Sequence, residues 1–207
     1  MLVMFDGQNV FGDEGSFAGG WHAHEAVDKL PRTVHRPTIV AVDNGGARRN
    51  AELSSELGAF LRFIVGEVLP AVTARTGLVP APHETAIGGS SLGGTAALSA
   101  VLRYPQVFGA AMCVSPSLWL GRGALFRELA QAPAAPRRVY LDVGGRERGQ
   151  MPALAARMAH ELRHLGLDES RLLWRPDARG THNERHWRRR LPKALRFLFR
   201  STRSRPG

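Results

Sequence analysis

Gly89-Ser90-Ser91-Leu92-Gly93 sets a serine at the centre of a G-x-S-x-G pattern. A serine hydroxyl becomes a useful nucleophile when it is lifted clear of the backbone and given a base. A sharp turn between a strand and a helix does the first of these. Glycine two residues before and two after keeps side chains from colliding where strand and helix meet. Only Ser91 has glycine at both places, so Ser90 is not the central serine. Leu92 would then open the helix, and its amide could stabilise an oxyanion. The chemistry implied is attack on an acyl carbon. The competing reading is a glycine-rich turn that packs closely and catalyses nothing. A nucleotide-binding loop fits poorly, because no G-x-x-x-x-G-K-[ST] is present and no G-x-G-x-x-G opens a helix after the first strand.

A serine nucleophile of this kind needs an acid and a histidine on loops after later strands, in that chain order. Glu147 lies in Gly144-Gly145-Arg146-Glu147-Arg148-Gly149, after the strand-like run 138–143. His182 lies in the segment 177–183, after the run 171–174 and before the last helical segment. Both loops are expected at the sheet edge where Ser91 stands, the carboxyl edge at which α/β sheets bind ligands.

The elements that must hold these residues are legible as short apolar runs at 2–5, 38–43, 85–88, 109–114, 138–143 and 171–174, apolar on both faces as in a covered parallel sheet. Between them, helical periodicity runs over 51–73, with Pro70 bending its end, and over 92–103, 151–165 and 184–200. The alternation predicts an α/β fold with a mostly parallel sheet. One domain over residues 1–207 is expected, with a frayed tail at 201–207.

The chain resembles the esterase branch of the α/β-hydrolases that holds enterochelin esterases, feruloyl esterases, S-formylglutathione hydrolase and mycolyltransferases. The resemblance is carried by Phe5-Asp6-Gly7-Gln8-Asn9-Val10-Phe11, by the segments 42–50 and 86–94, by 104–109 with 115–119, and by Gly180-Thr181-His182-Asn183 with Trp187. It implies a three-layer sandwich and a serine carboxylic-ester hydrolase working through an acyl-enzyme. Ser91 would be the nucleophile, His182 the base and Glu147 the acid, with Asp142 and Asp177 as competing acids and His186 as a competing base. The oxyanion hole would pair the Leu92 amide with one from Gln8. No cofactor or metal is implied, and the partner is a small-molecule ester. Acyl transfer within the same family, or a catalytically silent fold, remains as the alternative reading. Trp119, within the segment 117–136, is either a substrate-pocket wall or a core side chain.

The resemblance begins on what the family uses as its third strand, so two N-terminal strands are expected to be missing. The sheet would run 4-3-5-6-7-8 in family terms. The strand from Thr38 to Val42 would become an edge, open to self-association.

Two other motifs imply different chemistry. His160-Glu161-Leu162-Arg163-His164 matches the zinc-peptidase pattern H-E-x-x-H, yet His160 and His164 project opposite Leu154, Met158, Leu162 and Leu165, toward solvent. Arg185, Arg188, Arg189, Arg190, Lys193, Arg196 and Arg200 make the last helix basic, which raises nucleic-acid binding; with no interleaved aromatics they read as a solvated outer face. The chain carries 28 Lys and Arg against 18 Asp and Glu, a net charge of +10, and its only lysines are Lys29 and Lys193. Cys113 is the sole cysteine, so no intrachain disulfide or cysteine zinc finger is available. No single apolar run reaches the roughly 18–20 residues of a membrane span. No basic n-region precedes Met1–Phe5. The expectation is a cytoplasmic protein without membrane or nucleic-acid partners, conditional on Met1 being the true start.

Overall fold

Six parallel strands form the centre of the computed structural model, which describes residues 1–200. They are β1 (Leu2–Phe5), β2 (Ile39–Val42), β3 (Ala86–Ser90), β4 (Ala110–Val114), β5 (Arg138–Gly144) and β6 (Leu172–Asp177). Their order is β2-β1-β3-β4-β5-β6, the 4-3-5-6-7-8 order implied by the resemblance. β1, β3, β4 and β5 are buried along their whole length, which is why they read as unbroken apolar runs. The outer strand β2 alternates buried and half-buried residues.

Helices cover both faces. α2 (Arg49–Glu52), α3 (Leu57–Phe63), α4 (Leu69–Thr76), α5 (Leu92–Arg103), α6 (Ala124–Ala130) and α7 (Met151–His164) follow in chain order, and Leu57, Leu61, Ile64, Ala96, Leu129 and Met158 share one core with Val3, Ile87 and Leu141. α1 (Ala23–Asp28) and α8 (Glu184–Leu198) cover the other face, where Trp21, Leu191 and Leu195 pack on Leu2, Met4, Met112 and Tyr140. Burying Leu191 and Leu195 completely contributes about 1.5–3 kcal/mol each.

The long periodic stretch at 51–73 is not one helix. Ser54 Oγ donates to the Asn50 carbonyl, and such a local bond competes with helix propagation, leaving turns at 53–56. α3 then passes through a π-type segment (Ile64–Val68) into α4, with Pro70 in the first turn of α4. Pro70 has no N–H and would crowd the carbonyl four residues back, and the wider turn relieves both. The continuous Leu57–Thr76 helix is 20 residues long, and by length and composition it could cross a membrane. This corrects the exclusion drawn from single apolar runs, which Arg62 and Glu67 interrupt. Its Leu57, Leu61 and Ile64 lie in the core.

α1 and α6, of six and seven residues, were not anticipated because neither is long enough to display a stripe. α8 ends at Leu198 and not at 200, where Arg200 instead pairs with Val34 in an isolated bridge. The expected frayed tail, 201–207, lies outside the described residues.

Candidate functional site

β3 delivers Ser91 into the first turn of α5 with φ 56° and ψ −119°, a conformation that a non-glycine residue holds only when its surroundings enforce it. The surroundings are tight. A Cβ at Gly89 would lie 3.1 Å from the Gly93 backbone and 3.3 Å from Phe5 Cβ, and one at Gly93 would also lie 3.3 Å from Phe5 Cβ. The Ser91 amide donates to the Val114 carbonyl at 2.9 Å, and its carbonyl accepts from the Ser117 amide at 3.1 Å. The elbow is thus tied to the end of β4.

Ser91 Oγ stands 3.0 Å from His182 Nε2, and His182 Nδ1 stands 3.0 Å from Glu147 Oε2. Asp142 and Asp177 do not touch His182. Asp142 is buried in β5, where Tyr140 donates to Oδ2 at 2.7 Å and Arg190 Nη1 lies 3.0 Å from Oδ1. Asp177 Oδ1 accepts from the Arg179 amide within its own loop. His186 is not aimed at Ser91. Its Nδ1 accepts from the Thr181 amide at 3.1 Å and from Arg189 Nη2 at 3.0 Å, which pins the loop that carries His182. Burial, then Arg189, hold its pKa below the ordinary imidazole value and favour the neutral ring that can accept.

Glu147 is buried, not a solvated loop carboxylate between Arg146 and Arg148. Its Oε1 accepts from Ser115 Oγ at 2.5 Å and from the Gly144 amide at 2.8 Å. Burial pushes its carboxyl pKa up, but hydrogen bonds from His182, Ser115 and Gly144 outweigh this and hold it below the usual value. Ser115, at φ 46°, is the hub of this region: its Oγ also accepts from Trp187 Nε1 at 3.2 Å and from Arg190 Nη2 at 2.9 Å. Arg190 Nη2 lies 3.8 Å from Glu147 Oε1. The reading of α8's cations as wholly outward-facing is therefore corrected, since Arg190 is only 5% exposed and serves two buried carboxylates. Trp187 packs edge-on to His182 with ring centroids 5.0 Å apart.

The first loop forms the opposite wall. Asp6, at φ 58°, turns the chain out of β1 into a 3₁₀ turn (Gly7–Asn9) that carries Gln8. Arg49 grips Asp6 with two parallel bonds, and Asn44 Nδ2 donates to Asp6 Oδ1 at 2.7 Å. Gly7 packs against the second loop so closely that a Cβ there would meet the Val42 carbonyl carbon at 2.8 Å. The Gln8 side chain exchanges hydrogen bonds with the Asn44 backbone, which ties the 3₁₀ turn to the second loop. Gln8, Arg49, Ser91, His182, Glu184 and Trp187 line a common cavity of about 570 Å³. Leu92 is the first residue of α5, where helix amides lack intrahelical acceptors.

Trp119 lies outside this cavity and is 55% exposed, so it is neither its wall nor a core side chain. The turn after β4 directs Ser117 inward instead, with Ser117 Oγ 3.1 Å from Ser91 Oγ. His160 and His164 are exposed on α7, with their Nε2 atoms 2.8 Å apart. Among the described residues no group of three or more potential ligands surrounds them. Glu184, a downstream acid that could complete such a zinc site, is instead in the Ser91 cavity. The loop-bracing residues Asp6, Asn44 and Arg49 lie within the segments 5–11 and 42–50, but their pairing leaves no local signal. Ser115 and Arg190 left none either.

The sequence profile of the family described as "Putative esterase" matches residues 1–198. The iron(III) enterobactin esterase of Dickeya dadantii is 33% identical over 119 residues, 58% of this chain and 26% of that protein. The chain spans 61%, 26% and 40% of the lengths of three curated relatives it matches. Among solved structures, the siderophore hydrolase EstB from Aspergillus nidulans superposes with a TM-score of 0.78 at 17% identity, over 100% of this chain and 83% of that one. The enterochelin esterase from Shigella flexneri gives a TM-score of 0.77 at 23% identity, over 95% and 50%.

Proposed function

Since the chain belongs to the "Putative esterase" family of α/β-hydrolases, we propose that it is a serine carboxylic-ester hydrolase that works through an acyl-enzyme. The observation that carries this reading is the line from Glu147 Oε2 through the His182 ring to Ser91 Oγ, with 3.0 Å at each junction. That is hydrogen-bonding distance for a base and its nucleophile. In this reading Ser91 Oγ attacks the ester carbonyl carbon as His182 Nε2 takes its proton. The carbonyl oxygen becomes an oxyanion, held by the Leu92 and Gln8 amides. As the C–O bond breaks, His182 returns the proton to the leaving alkoxide. Water then attacks the acyl-enzyme with His182 as base, releasing the acid and restoring Ser91. Glu147 keeps the proton on His182 Nδ1 and stabilises the imidazolium. The family's other outcome, acyl transfer to an alcohol, differs only in what attacks the acyl-enzyme.

The name of the Dickeya dadantii relative makes a siderophore ester the first substrate to try. The cavity's polar wall of Gln8, Arg49 and Glu184 suits an oxygen-rich substrate better than a plain acyl chain. The test is fluorophosphonate labelling of the folded protein with mass-spectrometric mapping, followed by a panel of esters with and without an added alcohol. Labelling at Ser91, lost in Ser91→Ala together with turnover, is the expected result. Folded protein that stays unlabelled, or that is labelled at another serine, would overturn the proposal.

A further inference from the structure

Where β6 meets α8 there is a second cavity, of about 530 Å³, that shares no lining residue with the Ser91 cavity. Arg175 on β6, Arg179 in the following loop, and Arg189 and Lys193 on α8 line it. Asp177 is the one carboxylate in the wall, and its Oδ1 is engaged by the Arg179 amide. Among the described residues none of those four cations has a carboxylate within ion-pair distance. Cations elsewhere on the surface do: Arg48 pairs with Glu56, Arg103 with Glu128, and Arg188 with Glu25. At the inner wall stands Arg190, buried, whose Nη1 lies beside Asp142 Oδ1 but has no hydrogen-bond acceptor among the described residues.

Like charges drawn from a strand, a loop and a helix onto one concave wall repel each other. They also concentrate positive potential there, because field lines focus in a cleft with low-dielectric walls. Planar guanidinium forks match the paired oxygens of a phosphate, and a lysine adds a mobile point charge. The volume suits a small molecule. No exposed aromatic side chain lines the cavity on which a nucleobase could stack. We propose that this cavity binds a small, multiply charged oxyanion of the phosphate class, at a site separate from the one that processes the ester.

Inorganic pyrophosphate titrated calorimetrically into the full chain, at low and at near-physiological ionic strength, tests this directly. One saturable site per chain is expected. Arg175→Glu and Lys193→Glu, both at exposed positions, should each weaken binding at least tenfold, and Lys193→Gln should weaken it less. Arg62→Glu, which removes an exposed cation on α3, should leave it unchanged, and circular dichroism of each variant verifies the fold. Absence of saturation near physiological ionic strength would overturn the proposal, as would equal weakening by Arg62→Glu. Duplex DNA binding more tightly than pyrophosphate through the same residues would also overturn it. Because the readout is binding, its failure is independent of any result at Ser91.

Discussion

Arg49 Nε lies 2.6 Å from Asp6 Oδ1 and Arg49 Nη2 lies 2.7 Å from Asp6 Oδ2, a bidentate grip that joins the loop after β1 to the start of α2. Asp6 is buried and in the left-handed region, so the turn carrying Gln8 depends on a carboxylate whose charge is met from a different element, the start of α2. A planar fork suits this task because it constrains angle as well as distance.

Arg49→Ala should therefore reduce ester turnover and stability together. Leaving the Asp6 carboxylate buried without its cation costs about 3–5 kcal/mol. Loosening the Gln8 turn by an ångström costs about 100-fold in kcat/KM. Arg49→Lys keeps charge but not the fork, so it should recover stability more than activity. Urea melts and kinetics on an activated ester measure both. An alanine variant with unchanged turnover would remove Arg49 from the support of the oxyanion loop.

Glu147→Gln should lower kcat by up to about 10⁴-fold, the loss seen when a triad acid is replaced by its amide. A second readout separates charge from shape. The folded-state pKa of Glu147 lies below its ordinary value of 4.5. Its stabilising contribution is therefore fully present above about pH 4.5 and is lost as pH falls through the lower folded value. The stability gap between wild type and Glu147→Gln should shrink as pH falls below about 4.5. A gap that stayed constant from about pH 5 down to about pH 3 would contradict this.

Asp142 has the opposite sign. Burial drives its pKa from 3.8 up to about 6, with Arg190 and the Tyr140 hydroxyl opposing. Its folded pKa exceeds the unfolded one, so the contribution is present below about pH 3.8 and is lost as pH rises through about 6. A shift of that size corresponds to about 3 kcal/mol. Asp142→Asn abolishes this slope: the melting temperature of wild type relative to the variant should fall between pH 4 and 6.5 and level off above. Identical pH profiles for the two proteins would show that Asp142 titrates normally.

All six strands and the elbow were readable from sequence because their signals are local. A buried parallel strand must be apolar on both faces, and the G-x-S-x-G spacing at Ser91 is a local pattern, although the crowding that excludes a Cβ at Gly89 and Gly93 comes in part from Phe5 on β1. Glu147 and His182 could be nominated because each follows a strand at the same sheet edge. Choosing Glu147 over Asp142 needed the resemblance, since both are acids near the end of β5. The split of 51–73 at Ser54 and the π-type turn before Pro70 were missed because periodicity alone averages over such interruptions.

By itself the sequence determined the strand order's raw material, the serine turn, and which loops would carry an acid and a histidine. Each depends on steric rules spanning a few residues. Tertiary structure decided which charges are met and by what. Arg190, one of six Lys and Arg residues on α8, reaches Ser115 across 75 positions of chain. Arg49 reaches Asp6 across 43. Trp119 was left in solvent while Ser117 turned toward Ser91. Charge pairing acts over a few ångströms of space whatever the separation along the chain, so only the closed fold could say which arginines support the site and which four cations were gathered without a counter-charge.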